Sequence, residues 1–253
     1  MKITILGSGT SQGVPLIACD CNVCLSEDSR DKRLRSSIMV DVDNQRFVVD
    51  TGPDFRYQML REKVKNLDAI LFTHEHKDHV AGLDDVRAFN YKWKKDVEVF
   101  ASKRVSKALM REFHYVFSKD KYPGVPKINI NLIDNNDFFI GNTKITPIEA
   151  LHYKLPVFGF RIDKFVYLTD ISYISSIEKQ KLLNADLLII DALRRERHLS
   201  HFSLSQALDL ISEVKPKQSR LIHMSHFLGK HADLEKELPL NVSPSYDGEV
   251  IFL

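Results

Sequence analysis

The chain of 253 residues is long enough for one large domain with a hydrophobic core, and its composition predicts a single globular unit over residues 1–253. The 36 Lys and Arg residues nearly balance the 34 Asp and Glu residues, so the formal charge of +2 does not favour a nucleic-acid or membrane partner. There is no apolar run long enough to span a bilayer, and Met1–Leu6 is typical of a strand and not of a signal peptide, so we expect a cytoplasmic protein.

Short apolar, β-branched segments recur along the whole chain and predict strands. They are Ile3–Leu6, Ile38–Val42, Phe47–Val49, Ala69–Phe72, Val97–Phe100, Ile128–Leu132, Lys144–Ile148, Gly159–Ile162, Phe165–Leu168, Leu187–Ile190, Arg220–Ile222 and Val250–Phe252. Apolar residues three and four apart predict helices at Pro53–Lys63, Ser102–Val116, Ile174–Lys181 and Ser205–Val214.

Turn residues between some of these strands indicate antiparallel hairpins. The segments Val42–Phe47 and Arg161–Phe165 carry such signals, so a purely parallel sheet fits poorly. We therefore expect an α/β fold of two mixed sheets packed face to face, with the helices outside.

The loop Gly7–Gly13 after the first strand is not a dinucleotide motif, because its last glycine comes one residue too late. Its glycines predict a close backbone approach near a site.

The three cysteines of the chain lie together, at Cys19, Cys21 and Cys24. An odd number of clustered thiols in a reducing compartment argues against disulfides and favours zinc. Because a closed structural zinc site needs four ligands, we predict a small zinc knuckle at 19–24 that takes one more residue, a histidine, from elsewhere. The alternative is three incidental thiols in a polar loop.

The densest cluster of metal-binding side chains follows the apolar strand Ala69–Phe72. Here His74 and His76 are two residues apart, so an extended strand end projects them to the same side. Asp78 and His79 follow at the start of a predicted helix and point elsewhere. A charged surface loop is the alternative, but four ligand types in six residues favour a metal site.

Other predicted strands also end in residues that bind metals. Asp170 follows one such strand, and His152 and His223 follow two others. A lone residue of this kind is more often a cap or a surface group. The full set provides seven ligands, which suits two ions that share one carboxylate and keep positions open for water and substrate: His74, His76, Asp78, His79, His152, Asp170 and His223.

The H-x-H-x-D-H run, followed by a later His, an Asp after a Leu-Thr strand end and a final His, resembles the metallo-β-lactamase superfamily. That resemblance implies an αββα sandwich. It also implies that Asp170 bridges two ions and that Asp50 orients a ligand histidine, although Asp50 could equally be a simple turn acid. The ligands implied for the first ion are His74, His76 and His152, and those for the second are Asp78, His79 and His223.

Within the superfamily, three motifs resemble the phosphoribosyl 1,2-cyclic phosphodiesterase family of phosphonate breakdown. They are Gly9–Pro15, the cysteine trio and the ending Ile222–His226. The resemblance implies that Cys19, Cys21, Cys24 and His226 bind a structural zinc, with His198 and His231 as less favoured substitutes for His226. It also places His201 at a catalytic position, and we expect Asp78 among the catalytic residues as well.

We therefore expect a metal-dependent phosphodiesterase that hydrolyses a small ester, open or cyclic, such as a phosphoribosyl cyclic phosphate. Two zinc or manganese ions about 3.5–4 Å apart can hold a bridging hydroxide. His201 is the candidate general acid or oxyanion stabiliser. Arg87 could contact phosphate, although it could instead pair with Asp84 or Asp85.

Two other classes of function remain open. A transfer-RNA 3′-end endonuclease would share the metal ligands but would want a basic arm, and Tyr91–Lys95 is the only aromatic and basic segment. A non-enzymatic metal- or RNA-binding module is the second alternative. We expect a small phosphodiester as the partner molecule, no membrane, and no nucleic acid; a homodimer is left open.

Overall fold

The β-branched segments form fifteen strands in the computed structural model, which describes residues 1–253. The strands are β1 (Lys2–Gly7), β2 (Ser37–Val42), β3 (Gln45–Val49), β4 (Ala69–Leu71), β5 (Val97–Ser102), β6 (Ile128–Ile133), β7 (Phe138–Ile140), β8 (Thr143–His152), β9 (Leu155–Ile162), β10 (Phe165–Leu168), β11 (Tyr173–Ile174), β12 (Leu187–Asp191), β13 (Gln218–Ile222), β14 (Val242–Pro244) and β15 (Val250–Phe252).

Eight α-helices connect these strands. They are α1 (Phe55–Arg61), α2 (Lys77–Val80), α3 (Arg87–Trp93), α4 (Lys103–Glu112), α5 (His114–Phe117), α6 (Ser176–Lys179), α7 (Leu204–Val214) and α8 (His231–Glu237), with short 3-10 turns at Ser29–Asp31, Leu83–Val86 and Gln180–Leu182. None of the helices combines the length and apolar character that crossing a bilayer requires.

The strands pair into two mixed sheets, as the hairpin signals predicted. The first has the order β15-β1-β2-β3-β4-β5-β6, and the second has the order β11-β8-β9-β10-β12-β13-β14, with β7 added through β8. Strands β2 and β3 form an antiparallel hairpin whose turn residues Asp43 and Asn44 have φ of 50° and 60°. Positive φ at both central positions is the geometry that matches the twist of the flanking strands.

The side chains of each strand alternate between the two faces of its sheet, and this alternation divides the core into three layers. In β3, Phe47 and Val49 pack between the sheets against Phe160 and Tyr167 of the second sheet, whereas Val48 faces the opposite way. The outer faces are covered by helices: the first sheet by α1 and α4, the second by α7. The layers therefore run helix, sheet, sheet, helix, and the predicted αββα sandwich is confirmed.

Several predicted boundaries need correction. The segment predicted as a strand at Lys144–Ile148 continues to the end of β8, because Leu155 pairs with His152; that histidine therefore lies in the strand and does not follow it. The predicted helix Ser102–Val116 is interrupted at Phe113, where φ is −111° and ψ is 41°. The short strands β7, β11 and β14 were missed because two or three residues are too few to carry a period.

Candidate metal centre

The predicted metal ligands lie close together, because they follow strands of both sheets that end at the same edge of the sandwich. In the first sheet, Asp50 follows β3, and His74 follows β4, its parallel neighbour. In the second, Asp170 follows β10 and His223 follows β13. The backbone N–H of Phe158 in β9 donates to the Thr73 carbonyl at 3.0 Å, so the two sheets are joined directly beside the site.

Three of these residues adopt a left-handed backbone conformation. Their φ angles are 65° at Asp50, 55° at Asp170 and 56° at His223. For residues other than glycine this conformation costs about 1–3 kcal/mol, and it persists only where the surrounding contacts impose it. Such conformations are concentrated at functional sites, and here they occur at strand ends where each side chain must turn toward the cluster.

The first group of ligand atoms comes from His74, His76 and His152, which lie within 4.8 Å of one another. Nδ1 of His74 lies 3.0 Å from the Thr73 hydroxyl, and Nδ1 of His152 donates to the Ser200 carbonyl at 2.7 Å. In both rings, Nε2 is then free to bind a metal. Burial lowers the pKa of His74 well below its usual value and that of His152 to about 4, so both rings are in the neutral form that ligates metals.

The second group consists of Asp78, His79, Asp170 and His223, again within 4.8 Å. Nε2 of His79 is 3.1 Å from Asp78 and 3.3 Å from Asp170, and Nε2 of His223 is 3.3 Å from Asp170. Although burial acts to raise the pKa of Asp170, the charges of His223 and His79 prevail and hold it well below its usual range. The carboxylate is therefore ionised and available as a ligand.

Asp170 also lies with His152 and His201 in a third group of potential ligands. It thus stands between the first set of histidines and the second, which is where a carboxylate shared by two ions would have to be.

Asp50 orients His79 by binding the ring nitrogen Nδ1, opposite the Nε2 atom that lies in the cluster. Its carboxylate accepts hydrogen bonds from Nδ1 of His79 at 2.7 Å, from the Thr73 N–H at 2.9 Å and from the Thr73 hydroxyl at 2.8 Å. Nδ1 of His79 donates this bond, so when the ring gives up its second proton to bind a metal, Nε2 is the nitrogen that presents a lone pair. Asp50 is the orienting acid and not a turn acid.

The buried ring nitrogens of the cluster are suited to binding metal ions. Nε2 of His74, Nε2 of His79 and both ring nitrogens of His223 are buried without a hydrogen-bond partner. Each such atom costs about 1–3 kcal/mol if it is left unsatisfied. Divalent cations would satisfy the Nε2 atoms of these three rings, and the carboxylates of Asp78 and Asp170 would balance the charge. The division of the ligands between two ions remains a prediction.

The three thiols lie around one imidazole. Nδ1 of His226 is 3.3 Å from Sγ of Cys19, 3.3 Å from Sγ of Cys21 and 3.5 Å from Sγ of Cys24. The backbone N–H of Cys24 donates to Cys21, and mainly for this reason the pKa of Cys21 falls to about 6. A thiolate that forms at this pKa is a suitable zinc ligand.

His198 and His231, the substitutes considered for His226, lie elsewhere. Nδ1 of His198 lies 3.2 Å from the Ser200 hydroxyl, and Nε2 of His231 lies 3.2 Å from Glu235.

His201 is buried beside the metal-binding cluster. Its ring centroid is 4.5 Å from that of His152 and 4.8 Å from that of His223, and its Nδ1 is 3.3 Å from Asp191 and 3.8 Å from Asp170. Burial lowers the pKa of His201 to about 4, so the ring is neutral near pH 7 and donates through one N–H only. The sequence left Asp191 unassigned; its position at the end of β12 was the only signal.

Arg87 does not contact the site. It forms an ion pair with Asp84, three residues earlier, and its side chain is 57% exposed. Of the two possibilities for Arg87, the structure shows the pairing with Asp84, and a contact with phosphate stays a prediction. The segment Tyr91–Lys95 lies at the end of the same helix, with Tyr91 80% exposed and the Lys94 ammonium 4.3 Å from its ring.

The fold and the clustered ligands define a metal-binding hydrolase of the metallo-β-lactamase type. The family model described as a beta-lactamase superfamily domain matches residues 45–224, and the chain belongs to this superfamily. Within the superfamily, the chain is similar over its full length to the crystal structure of a new diphosphatase from the PhnP family. The identity is 34% and the TM-score is 0.94, with 100% of this chain and 97% of that chain covered. The predicted superfamily is thus confirmed.

Two curated relatives are also similar in sequence. An octanoyltransferase of Porphyromonas gingivalis is 39% identical over 251 residues, which are 98% of this chain and 51% of that protein. A ribonuclease Z of Exiguobacterium is 26% identical over 167 residues, 64% of this chain and 49% of that protein. The chain spans about half the length of these relatives.

Proposed function

We propose that this hydrolase is a phosphodiesterase that uses two metal ions to cleave a small phosphodiester, such as a phosphoribosyl cyclic phosphate. The observation that carries the proposal is the pair of ligand groups with Asp170 between them. Two ions held in this way are suited to displacement at phosphorus. The diphosphatase of the PhnP family, to which the chain is similar, also acts on a phosphate compound by its name.

In this proposal His74, His76 and His152 hold one ion, Asp78, His79 and His223 hold the other, and Asp170 is shared. When bound, the ions supply an activated water molecule and positive charge for the entering and leaving oxygens. Zinc and manganese both suit imidazole and carboxylate ligands. A third ion, a structural zinc, belongs with Cys19, Cys21, Cys24 and His226.

The residues of the chain supply orientation and one hydrogen-bond donor. Asp50 and the Ser200 carbonyl fix the ring orientations of His79 and His152. Burial raises the pKa of Asp191 well above its usual value, so its carboxyl group is protonated and donates to Nδ1 of His201. The one N–H of the neutral ring is then on Nε2, the atom that can donate to a substrate oxygen. His201 would thereby stabilise the developing oxyanion or assist the departing alkoxide.

Metal analysis of the purified protein, together with hydrolysis of bis(p-nitrophenyl) phosphate, tests the proposal. We expect two ions at the His and Asp cluster in addition to one zinc, and turnover that a chelator abolishes and zinc or manganese restores. The variant Asp170→Asn should lose turnover, whereas Asp163→Asn, in the β9–β10 turn, should keep it. Full metal content without turnover would contradict the proposal and favour a binding module.

A transfer-RNA 3′-end endonuclease is the second candidate, because the ribonuclease Z of Exiguobacterium is a sequence relative. We rank it lower, since the only aromatic and basic segment, Tyr91–Lys95, makes no contact with the metal ligands among the interactions of the structure. The small ester as partner, the absence of a membrane partner and a homodimer remain predictions.

A further inference from the structure

An open cavity of about 460 Å³ lies beside helix α3, apart from the metal centre. One wall is α3 together with Lys94, which follows it, and the other consists of residues 123–125 and Lys127, which come before β6. None of the proposed metal ligands lines the cavity. At about 30 Å³ per water molecule it has room for roughly fifteen waters, which is the size of a small-molecule site.

The two walls are fixed to each other by the buried side chain of Asn90. Its Nδ2 donates to the carbonyls of Lys95 and Lys127, both at 2.9 Å, and its Oδ1 accepts from the Lys127 N–H at 2.9 Å. The N–H of Val97 donates to the same Lys127 carbonyl at 3.0 Å, so strand β5 is attached as well. The shape of the cavity is therefore imposed by the protein itself, and a ligand does not have to order it.

The charged residues that line the cavity are all cationic: Arg87, Lys94 and Lys127. The Lys94 ammonium lies 4.3 Å from the centre of the Tyr91 ring, and neither it nor the Lys127 ammonium pairs with a carboxylate. Arg87 pairs with Asp84 through Nη2, and its Nε and Nη1 have no partner in the protein. A cavity with three cations and no lining carboxylate has a positive potential and favours an anionic ligand.

Tyr91 provides an exposed aromatic ring at the same cavity. Any nucleobase can stack on such a ring, because every base has an aromatic face. Trp93, two residues later, does not line the cavity, and its indole N–H donates to the Lys65 carbonyl at 2.6 Å. A nucleic-acid strand needs a row of rings for successive bases, whereas one ring beside one cationic cavity fits a single nucleotide.

We propose that this cavity binds a nucleoside phosphate, at a site separate from the metal centre. The base would stack on Tyr91, and the phosphate oxygens would accept from Arg87, Lys94 and Lys127. The inference goes beyond the proposed function, because it assigns a second ligand site that does not depend on hydrolysis. It also gives a role to the aromatic and basic segment Tyr91–Lys95, which makes no contact with the metal ligands.

Calorimetric titration of the metal-loaded protein with adenosine 5′-monophosphate (AMP) tests the inference, with adenosine and inorganic phosphate as comparisons. We expect AMP to bind more tightly than either, because each of them makes only part of the proposed contacts. The Kd for AMP should rise about fivefold or more in Tyr91→Ala, through lost stacking. It should rise about tenfold or more in Lys127→Ala, through the lost charge-assisted hydrogen bond. Thermal unfolding of each variant confirms that it is folded.

The matched controls are Tyr57→Ala and Lys95→Ala. Tyr57 is an exposed tyrosine of α1 that does not line the cavity, and Lys95 belongs to the same segment as Tyr91 but pairs with Asp68 at 3.4 Å. Both variants should leave the Kd for AMP unchanged. The inference would be overturned if the controls lost as much affinity as Tyr91→Ala and Lys127→Ala, if inorganic phosphate bound as tightly as AMP, or if the wild type did not bind AMP.

Two further titrations separate the cavity from other ways of binding AMP. The metal centre could also take the phosphate of AMP, so the titration is repeated with Asp170→Asn, which should keep the Kd of the cavity. Binding that Asp170→Asn abolishes and Tyr91→Ala leaves intact would belong to the metal centre and contradict the inference. Decaadenylate is the probe for a strand: a Kd about a hundredfold or more below that of AMP would replace the nucleotide site with an RNA-binding surface.

Discussion

At the scale of single residues, the site depends on pairs in which one side chain orients another. Asp50 fixes the proton of His79 on Nδ1, whereas the protonated carboxyl group of Asp191 donates to Nδ1 of His201 and fixes the proton of that ring on Nε2. Both acids end strands and are buried. A buried carboxyl group that has no solvent partner must find its hydrogen-bond partners in the protein, so each acid holds the imidazole beside it in one orientation.

We predict that His201→Ala will slow hydrolysis according to the leaving group. For an alkyl phosphodiester the kcat/KM should fall by about 10²–10⁴, because the departing alkoxide needs a hydrogen-bond donor. For bis(p-nitrophenyl) phosphate the fall should be much smaller, since p-nitrophenolate leaves without a proton. Steady-state rates for both esters provide the measurement.

The control for this variant is His198→Ala, which removes the neighbouring imidazole. This variant should lower the kcat/KM for both esters equally, and only slightly. An equal loss for both esters in His201→Ala would mean that His201 supports the structure of the site and does not assist the leaving group.

At the scale of elements, the connection after β13 ties the two metal-binding clusters together. Only two residues, Met224 and Ser225, lie between His223 and His226. The cysteine loop is the segment of residues 19–33, which begins at Cys19 and ends at the fully buried Arg33. Arg33 donates to the Ser225 carbonyl at 3.2 Å, to the Gly229 carbonyl at 2.8 Å and to Asp31 at 3.1 Å. The cysteine loop and this connection therefore form one packed unit, and disorder in one should reach the other.

We predict that Cys21→Ser will remove one equivalent of zinc and destabilise the fold. A loss of about 3 kcal/mol would lower the Tm by about 6–12 °C in a chain of this size. Because His223 belongs to the same unit, the variant should also release its other metal ions more readily to a chelator. Metal analysis and thermal unfolding test both effects.

The control is Asp20→Ala, which changes an exposed residue of the same loop and should leave the zinc content and the Tm unchanged. Unchanged zinc content in Cys21→Ser would show that the thiols do not form a metal site.

At the scale of the whole molecule, charge distinguishes the two candidate functions. The formal charge is +2, and many lysines and arginines form ion pairs with carboxylates across the surface. An enzyme that binds a long polyanion releases many counterions and becomes strongly dependent on salt, whereas an enzyme for a small ester contacts few charges.

We predict that the kcat/KM for a small phosphodiester will change only a few-fold between 50 and 200 mM salt. Ribonuclease activity with 6–10 phosphate contacts would instead lose about 10³–10⁵ in affinity over that range. The measurement is a salt series with the small ester and with a transfer-RNA precursor in parallel. Cleavage of the precursor at a rate that falls steeply with salt would favour the endonuclease.

The local sequence pattern was sufficient to predict most of the strands and the types of metal ligand. The alternation in Phe47–Val49 and the apolar run Ala69–Phe72 predicted buried strands, because a strand's side chains alternate between its two faces whatever its partners are. The density of histidines after β4 and the three clustered cysteines predicted metal sites for a similar reason. The chemistry of a ligand is a property of the residue itself.

The tertiary structure decided what depends on distant partners. His226, His198 and His231 are alike in sequence, and only the position of the connection after β13 brings His226 to the thiols. The contact of Asp191 with His201 likewise depends on segments brought together by sheet order. Periodicity reports interactions over a few residues, whereas these contacts depend on which strands lie side by side.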